Sequence, residues 1–388
     1  MDDATRTLIR SAVHGAATVV DSPTGCRPVR LPDWALAQVD DPILRLFGNT
    51  TSGVRLSFVT SATWIALTAL TDRTMFPGAD PAQDPALFVA TVGATTVGTS
   101  TDRSGAINRL IGPGIPRYDR VDGEPVTHRF DLGAVADTRT VEIWLPNTAG
   151  VEIQAVVADA PLKPSPRAVG RRWTHYGSSI SQSSEADSPL GVWPVIAARR
   201  LGLDLTSLGL GGNAHLDQFV ARMMRDSPAD LISIKIGINV VNGDTLKRRT
   251  FVPALHGFLD TIREAKPATP ILVISPILCP MHEDTPGPLG FDPARGLFPV
   301  PSSLPAALTG ALTLRDVRSI LRAAVEQRRA TDPNLNYLDG LALFGEQDLD
   351  HLPDGLHPDT VGYERIGRRF ADRPEVAQWA ASTGTVAR

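Results

Sequence analysis

Apolar and polar positions alternate along much of the first part of the chain. Val54, Leu56 and Phe58 are separated by single polar residues, and the segment 151–155 has the same alternation. This period of two is typical of a strand with one buried face. No convincing amphipathic helix interrupts these runs, so residues 1–160 are predicted to form an antiparallel β-sandwich or jelly-roll-like domain. Shorter runs that predict further strands lie at 64–70, 87–92, 128–132 and 141–145.

The pattern changes after a proline-rich segment, 160–166, which has the composition of a linker. Strand-like apolar runs now alternate with helical patterns, which is typical of a parallel sheet covered by helices on both faces. The clearest helix is predicted at 314–328, where Thr313 and Asp316 can cap the first turn. We therefore expect a three-layer α/β domain at 168–388. Its strands are predicted at 173–176, 205–208, 231–236, 271–274 and 335–338.

One stretch breaks this rhythm. Residues 276–311 are rich in proline and glycine and show no clear periodicity. Long loops inside compact domains are usually functional, as lids or pocket walls, and a disordered insertion is the alternative.

The composition narrows the classes of function. Of 388 residues, 42% are hydrophobic and 21% are charged, and the formal net charge is -4. These values are ordinary for a soluble globular protein. Without a concentrated basic patch, nucleic acid is not an expected partner. No apolar stretch approaches the ~20 residues that span a bilayer.

The cysteines and the N-terminus bear on the compartment. Cys26 and Cys279 lie far apart and lack the spacing of a zinc or redox site. Two unpaired thiols in a reducing compartment are therefore expected. The polar start of the chain, MDDATR, is unlike a secretory leader. The sequence thus favours a cytoplasmic protein, and it carries no signal for an oligomeric state.

Four short motifs carry the candidate chemistry. GSSIS at 177–181 follows the first predicted strand of the second domain, GLGGN at 209–213 follows the next, and GIN at 237–239 follows the third. DGLHP at 354–358 lies near the C-terminus. Parallel α/β sheets place their sites at the carboxyl ends of the strands, so the first three motifs are expected to meet at one crevice.

The order and spacing of these motifs resemble the SGNH (GDSL-type) hydrolase superfamily over roughly residues 172–370, and the preceding β domain resembles a two-domain subgroup of it. The resemblance implies a flavodoxin-like α/β fold and a serine ester hydrolase without metal or cofactor. It makes Ser179 the nucleophile, with Asp354 and His357 completing a catalytic triad. Ser179, Gly212 and Asn239 would serve the oxyanion hole.

Elementary chemistry supports these roles. A serine hydroxyl is a poor nucleophile unless a base takes its proton, which is the role open to His357. Asp354 can accept a hydrogen bond from the other ring nitrogen and stabilise the imidazolium. The Ser179 and Gly212 backbone N–H groups and the Asn239 amide would stabilise the oxyanion, each donor typically being worth ~10²–10³ in rate.

Two positions depart from the superfamily pattern. Ser178 and Val240 stand where the superfamily often has Asp. Neither position acts on the substrate in the family, so the triad is unaffected. The departures leave the subgroup, and with it the substrate, open.

A second Asp-x-x-His pair, Asp348 and His351, lies just upstream of the favoured pair. It lacks the proline that follows His357, so His357 is preferred as the base. The alternative shifts the triad to Asp348 and His351.

Other patterns have weaker functional interpretations. GLGGNA at 209–214 loosely fits a dinucleotide fingerprint, with Asp230 as a ribose ligand, but it does not follow the first strand of the domain. Residues 282–284, and His215 with Asp217, lack a partner at ligand spacing for a metal. Aromatic residues are favoured as core rather than sugar platforms, among them Trp64, Trp144 and Trp193.

The sequence therefore predicts a serine esterase acting on a small-molecule or carbohydrate ester through an acyl-Ser179 intermediate. A short acyl group such as acetyl, on a sugar or natural product, is what the family resemblance implies. Two alternatives stay open: an acyltransferase that passes the acyl group to an alcohol, and a non-catalytic carbohydrate-binding protein.

Overall fold

The computed structural model divides the chain into two compact units. The first comprises Met1–Gly170 with Ala186–Val195 and Asp204–Ser207, and the second comprises Arg171–Glu185, Ile196–Leu203 and Leu208–Arg388. The expected start of the second domain, residue 168, lies outside the described residues. The structure describes residues 1–76, 80–111, 117–166, 170–292, 295–302 and 304–383.

The N-terminal part of the first unit is made mainly of strands. Its helices are α1 (Asp3–Ala12), α2 (Asp33–Leu36) and α3 (Pro42–Asn49). Its strands are β1 (Val13–His14), β2 (Thr18–Asp21), β3 (Cys26–Val29), β4 (Arg55–Thr60), β5 (Trp64–Met75), β6 (Ala86–Val92), β7 (Thr95–Asp102), β8 (Ala106–Ile111), β9 (Arg117–Val121), β10 (Val126–Asp131), β11 (Arg139–Trp144), β12 (Ala149–Ala158) and β13 (Lys163–Pro164).

These strands form two sheets. One has the order β1-β4-β11-β6-β7 with β13 beside β4, and the other has the order β2-β3-β12-β5-β8-β9 with β10 beside β5. Pairing is antiparallel, as predicted, at β4–β11, β6–β7 and β5–β12. It is parallel at β5–β8, which the sequence analysis did not foresee. The chain leaves β5, forms β6 and β7 in the other sheet, and returns along its original direction, which a parallel pair requires.

The inward side chains of both sheets share one core. Phe58 and Ile143 come from the first sheet, and Leu67, Phe130 and Ile153 come from the second, all in one buried cluster. The alternating runs in the sequence correspond to β4, β5, β6, β10, β11 and β12. The elements before residue 50 and the strands β7 to β9 were not predicted from the sequence.

The second half of the chain alternates strands with helices. Its strands are β14 (Arg172–Gly177), β15 (Asp204–Gly209), β16 (Leu231–Lys235), β17 (Ile271–Ile274), β18 (Leu289–Asp292), β19 (Gly296–Pro299) and β20 (Leu335–Leu338). Its helices are α4 (Ser179–Gln182), α5 (Trp193–Leu201), α6 (Gln218–Asp226), α7 (Ile238–Asn242), α8 (Arg248–Arg263), α9 (Pro280–Glu283), α10 (Ala306–Thr309), α11 (Leu314–Arg328), α12 (Thr360–Asp372) and α13 (Pro374–Ala381). Short 3-10 turns lie at Gly340–Ala342 and Glu346–His351.

The predicted α/β architecture is confirmed. The main sheet has the order β15-β14-β16-β17-β20, and β14, β16, β17 and β20 pair in parallel. Strand β14 shows the helices on both faces. Its Trp173 stacks on Phe370 of α12, with ring centroids 5.4 Å apart, whereas Tyr176, on the opposite face, stacks on Phe258 of α8 at 5.5 Å.

The two cysteines are buried free thiols. No helix in the described part of the chain combines the length and the apolar character that a bilayer crossing needs.

Helix α11 has the bounds and the cap that the sequence predicts. The Thr313 hydroxyl accepts a hydrogen bond from the Asp316 N–H at 3.1 Å, and Asp316 accepts one from the Thr313 N–H at 3.2 Å. This reciprocal capping satisfies two N–H groups that have no partner within the helix.

Replacing Thr313 should therefore destabilise the protein. We expect Thr313→Ala to lower the free energy of unfolding by about 1 kcal/mol, because the Asp316 N–H loses its acceptor. A urea titration followed by circular dichroism measures this. The matched control is Thr331→Ala, at an exposed threonine beyond the other end of the helix, where the change should stay within about 0.5 kcal/mol. Equal losses in both variants would contradict the capping argument.

Candidate active site

Three of the four motifs follow neighbouring strands of the main sheet. Strand β14 lies between β15 and β16, and the turns that leave these strands carry Ser179, Gly212 and Asn239. Ser179 is the first residue of the short helix α4. The Ser178 side chain caps this turn by accepting a hydrogen bond from the Ile180 N–H at 3.3 Å. Ser178, at a position where the superfamily often has Asp, thus caps this turn.

The loop before α12 brings a histidine to Ser179. The distance between Ser179 Oγ and His357 Nε2 is 2.9 Å, and His357 Nδ1 lies 2.7 Å from Asp354 Oδ2. The other carboxylate oxygen, Oδ1, accepts hydrogen bonds from the N–H groups of Leu356 at 2.8 Å and His357 at 2.6 Å. With Nδ1–H donating to Asp354, Nε2 is free to accept the serine proton.

The surroundings of Asp354 and His357 favour the ionised carboxylate and the protonated imidazole. Burial by itself lowers the pKa of His357, but the hydrogen bond to Asp354 and the negative charges of Glu185 and Asp354 outweigh it, so the pKa lies above the usual value. Burial by itself raises the pKa of Asp354, but the hydrogen bonds and charge of His357 outweigh it and hold the pKa below its usual value. Asp354 is therefore an anion at neutral pH and stabilises the protonated form of the imidazole.

The glycine-rich turn is tied to its neighbours on both sides. The Gly211 N–H donates to Gln182 Oε1 at 3.0 Å, which links the turn to α4. The Ala214 N–H donates to Asn239 Oδ1 at 3.0 Å, which links it to α7. Gly212 itself has a φ of 69°, a conformation that residues with a Cβ rarely adopt. Because Asn239 Oδ1 is engaged, its Nδ2 is the atom that remains to donate to a ligand.

His215 fixes the same turn from its outer side. Its Nε2 lies 2.9 Å from the carbonyl oxygen of Gly212, and its Nδ1 lies 3.0 Å from the Thr245 hydroxyl. A carbonyl only accepts, so Nε2 carries the proton and Nδ1 accepts from Thr245. The sequence analysis considered His215 only as a metal ligand, and the structure places it on the backbone of Gly212.

A buried polar cluster lies beneath the serine turn. His175 of β14 contacts the Ser181 hydroxyl at 2.8 Å through Nε2 and the Ser233 hydroxyl at 2.7 Å through Nδ1. Burial, with the nearby charge of Lys235, lowers the pKa of His175 to about 3, so the ring is neutral. Burial also lowers the pKa of Lys235 to about 7. This neutral imidazole supports α4 without competing as a base.

The second Asp-x-x-His pair is used elsewhere. His351 Nδ1 lies 3.0 Å from Asp359 Oδ2, and Asp359 also caps α12. The fully buried carboxylate of Asp348 binds Arg365 at 2.9 Å and Arg369 at 2.5 Å. The structure therefore brings neither residue of this pair to Ser179.

The other candidates from the sequence have structural partners. Asp230, the possible ribose ligand, binds Arg172 at 2.7 Å. In the 282–284 segment, Glu283 pairs with Arg318 at 2.6 Å and Asp284 pairs with Arg315 at 2.8 Å. Over the residues that the structure describes, no group of three or more His, Cys, Asp or Glu side chains is arranged to hold a metal ion.

The three tryptophans named in the sequence analysis differ in exposure. Trp144 and Trp193 are buried, as the core interpretation expects. Trp64 is partly exposed and has the Arg129 guanidinium 4.2 Å from its ring centroid.

The described parts of residues 276–311 form regular elements beside the site. They contain α9, the hairpin β18–β19 and α10. The Cys279 thiol lies 3.4 Å from the carbonyl oxygen of Gly355, between Asp354 and His357. Gly287 lies so close to α7 that a Cβ on it would meet the Val241 carbonyl oxygen at 2.0 Å. The segment thus packs against the Asp354–His357 loop and against helix α7, which carries Asn239.

Several residues of this site were not found from the sequence. Gln182, three positions after Ser179, joins two of the motifs, and helical spacing was the signal that could have pointed to it. Glu185 and Tyr363 lie outside every motif, and only the tertiary structure shows their hydrogen bond.

The four motifs lie within the part of the chain that matches a known protein family. Residues 175–365 match the family model described as GDSL-like lipase/acylhydrolase. The chain carries a GDSL-like lipase/acylhydrolase domain. Ser179, Gly212, Asn239, Asp354 and His357 all fall within it.

Comparison with solved structures extends the similarity to nearly the whole chain. The salicylyl-acyltransferase SsfX3 from a tetracycline biosynthetic pathway is 27% identical, with a TM-score of 0.77 and coverage of 96% of each chain. A Bacteroides ovatus protein described as a putative GDSL-like lipase is 18% identical, with a TM-score of 0.64 and coverage of 97% of each chain. No curated protein sequence matches the chain.

The fold is also shared with a family two carbohydrate esterase from Clostridium thermocellum. That protein is 13% identical, with a TM-score of 0.55, covering 93% of this chain and 97% of its own. Over most of its length, the chain therefore shares the fold of this carbohydrate esterase.

The link between α4 and the glycine-rich turn of the GDSL-like domain can be tested. Gln182→Met removes the acceptor for the Gly211 N–H while keeping the side-chain length. We expect it to lower ester turnover about tenfold or more, because oxyanion donors act only when they are held in place. Initial rates on an activated ester measure this.

The matched control is Ser184→Ala, because Ser184 is the partner of the Gln182 Nε2 group at 2.9 Å. It leaves the Gly211 contact intact and should stay within about twofold of wild type. An unaltered rate in Gln182→Met would show that the link does not support the site.

Proposed function

We propose that the chain catalyses acyl transfer from a carboxylic ester through an acyl-Ser179 intermediate. The observation that carries the proposal is the 2.9 Å distance between Ser179 Oγ and His357 Nε2, with Asp354 at 2.7 Å from the other ring nitrogen. A nucleophile, a base and a group that orients the base are the components of serine-based acyl transfer.

The first half-reaction loads the serine. His357 Nε2 takes the proton of Ser179 as Oγ bonds to the ester carbonyl carbon. The backbone N–H groups of Ser179 and Gly212 and the Asn239 Nδ2 group are the proposed donors to the oxyanion. The intermediate then breaks its bond to the alcohol oxygen, which leaves with the proton from His357. Asp354 stays ionised and stabilises the imidazolium during both steps.

The second half-reaction unloads the serine. An acceptor hydroxyl gives its proton to His357 Nε2 as its oxygen attacks the acyl carbon. The bond between that carbon and Ser179 Oγ then breaks, and His357 returns the proton to Oγ. Water as acceptor makes the chain an esterase, and we propose this as its function, on a small-molecule or carbohydrate ester with a short acyl group. The similarity to family two carbohydrate esterases supports this through the fold alone.

An alcohol acceptor is the second candidate, and one observation favours it. SsfX3, described as a salicylyl-acyltransferase, is similar to this chain over 96% of its length at 27% identity. The chemistry of the loaded serine is the same in both cases. The two candidates differ only in which hydroxyl reaches the acyl carbon.

The triad assignment predicts a graded set of losses. Ser179→Ala and His357→Ala should each lower kcat by ~10⁴ or more, as triad losses do in other serine hydrolases. Asp354→Asn should fall between these variants and wild type, because the serine–histidine pair remains but loses its orientation and charge. His351→Ala is the matched control and should lower kcat less than tenfold. The four rates on one activated ester measure this.

Two results would contradict the assignment. An inactive His351→Ala with an active His357→Ala would move the base to the alternative pair. If Ser179→Ala retained more than a tenth of the activity, the assignment of Ser179 as the nucleophile would be wrong. If the wild-type protein also fails to react with a fluorophosphonate, the non-catalytic carbohydrate-binding alternative is favoured.

Analysis of the reaction products shows whether water or an alcohol accepts the acyl group. We expect an activated ester to yield the free acid at the same rate with and without added alcohols, including sugars, because water is the proposed acceptor. Mass spectrometry of the products measures the partition. Ser179→Ala is the control for uncatalysed transfer. A new ester that accumulates in proportion to one alcohol, at the expense of the free acid, would establish the acyltransferase instead.

A further inference from the structure

A second carboxylate connects the segment that follows Ser179 with the helix that follows His357. Glu185 is exposed on the segment that follows α4, and its Oε2 accepts a hydrogen bond of 2.6 Å from the hydroxyl of Tyr363. Tyr363 lies in α12, immediately beyond the loop of Asp354 and His357, and is fully buried. The hydrogen bond therefore joins the segment after the serine to the helix after the histidine.

This contact fixes where the charge of Glu185 sits. A glutamate on a surface segment usually samples many rotamers, and a hydrogen bond to a rigid donor restricts them. Burial, with the charge of Glu185, raises the pKa of Tyr363 well above its usual value, so Tyr363 stays neutral and donates. The negative charge is thereby held on the side of the site that faces α12.

The groups that act electrostatically on His357 come from different elements. Asp354 comes from its own loop and Glu185 from the segment after α4, and both raise the pKa of His357. Tyr363 from α12 is neutral. The Cys279 thiol, which lies near Asp354, is also neutral, because burial raises its pKa to about 12. Among the described residues, the charges that act on His357 are thus two carboxylates.

We propose that Glu185, held by Tyr363, is a second acidic positioning residue of this site, which stabilises the His357 imidazolium formed while Ser179 reacts. The inference rests on the proposed function, since it assigns His357 the role of base. Asp354 acts through a hydrogen bond to Nδ1, whereas Glu185 acts through space. A fixed negative charge near a positive charge that develops in the transition state lowers the barrier.

A purely structural interpretation of the same contact has different consequences. A buried tyrosine hydroxyl needs a hydrogen-bond partner, and Glu185 would meet that need even without any effect on His357. Replacing the carboxylate by an amide separates the two interpretations. The amide of Glu185→Gln keeps an oxygen that accepts from Tyr363, and the substitution removes only the charge.

The decisive variant is Glu185→Gln, and Glu364→Gln is its matched control. Glu364 is the next residue after Tyr363 on α12, is paired with Arg368 at 2.5 Å, and does not figure among the charges that act on His357. Both variants change the net charge of the protein equally. The pH profile of kcat/KM on an activated ester is measured for both and for wild type.

The sign of the effect follows from the charge. His357 must be neutral to accept a proton, so kcat/KM falls as the pH drops through its pKa in the free enzyme. Loss of the Glu185 charge makes protonation less favourable, so the acid limb of Glu185→Gln should move to lower pH. Its plateau should fall about two- to tenfold, because the imidazolium is less stabilised in the transition state. Glu364→Gln should overlay wild type.

A second measurement is independent of turnover. The imidazole resonances of His357 are titrated by NMR in Ser179→Ala, with and without Glu185→Gln. We expect the His357 titration to move to lower pH when the charge is removed, and the difference to shrink in 1 M salt, which screens exposed charges. Tyr363→Phe, which frees Glu185 but keeps its charge, should give a smaller shift in the same direction.

Each outcome bears on one proposal at a time. Identical titrations of His357 with and without the Glu185→Gln substitution would overturn the role of Glu185, even if Ser179→Ala and His357→Ala are inactive and the proposed function stands. If the titration of His357 shifts but the protein has no ester turnover, the effect of the Glu185 charge on His357 stands and the proposed function is contradicted.

Discussion

The position of β14 between β15 and β16 is the constraint on which the site depends. The order β15-β14-β16 places the carboxyl ends of these strands side by side, so the turns that carry Gly212, Ser179 and Asn239 leave the sheet at adjacent points. Side-chain contacts then hold these turns together, because Gln182 accepts from Gly211 and Asn239 accepts from Ala214. These contacts fix the turns relative to one another, and the proposed oxyanion hole requires preorganisation of this kind.

Polar groups beneath the serine turn are buried at a cost that specific contacts offset. His175 occupies both ring nitrogens with the Ser181 and Ser233 hydroxyls, and burial keeps the ring neutral. An unpaired polar group in this place would cost roughly 1–3 kcal/mol, so the pairing supports the turn in one conformation. His175 and His357 differ in the charges around them. One histidine is buried without a carboxylate and stays neutral, whereas the other gains a proton more easily because Asp354 and Glu185 act on it.

The segment that interrupts the α/β rhythm is packed against the site rather than appended to it. It contacts the Asp354–His357 loop at Cys279 and the Asn239 helix at Gly287. The segment thus lies beside the loop of the proposed base and beside the helix that carries one proposed oxyanion donor. An acyltransferase and a carbohydrate esterase are both similar in fold to this chain. The fold alone therefore does not decide which hydroxyl would reach the proposed acyl-Ser179.

The sequence by itself determined the fold class and the strands and helix that have regular periodicity, and it predicted the five motif residues of the candidate site. These features are local: alternation along β4 or β12, the cap at Thr313 and the order of four motifs are all visible along one chain. The tertiary structure alone decided the parallel β5–β8 pair, the elements before residue 50, and the partners of Asp348 and His351. It also decided that Gln182, His215, Glu185 and Tyr363 surround the site. Their partners are distant in sequence or lie outside any repeating pattern, and nothing in a local pattern records which charge or donor folding brings next to another.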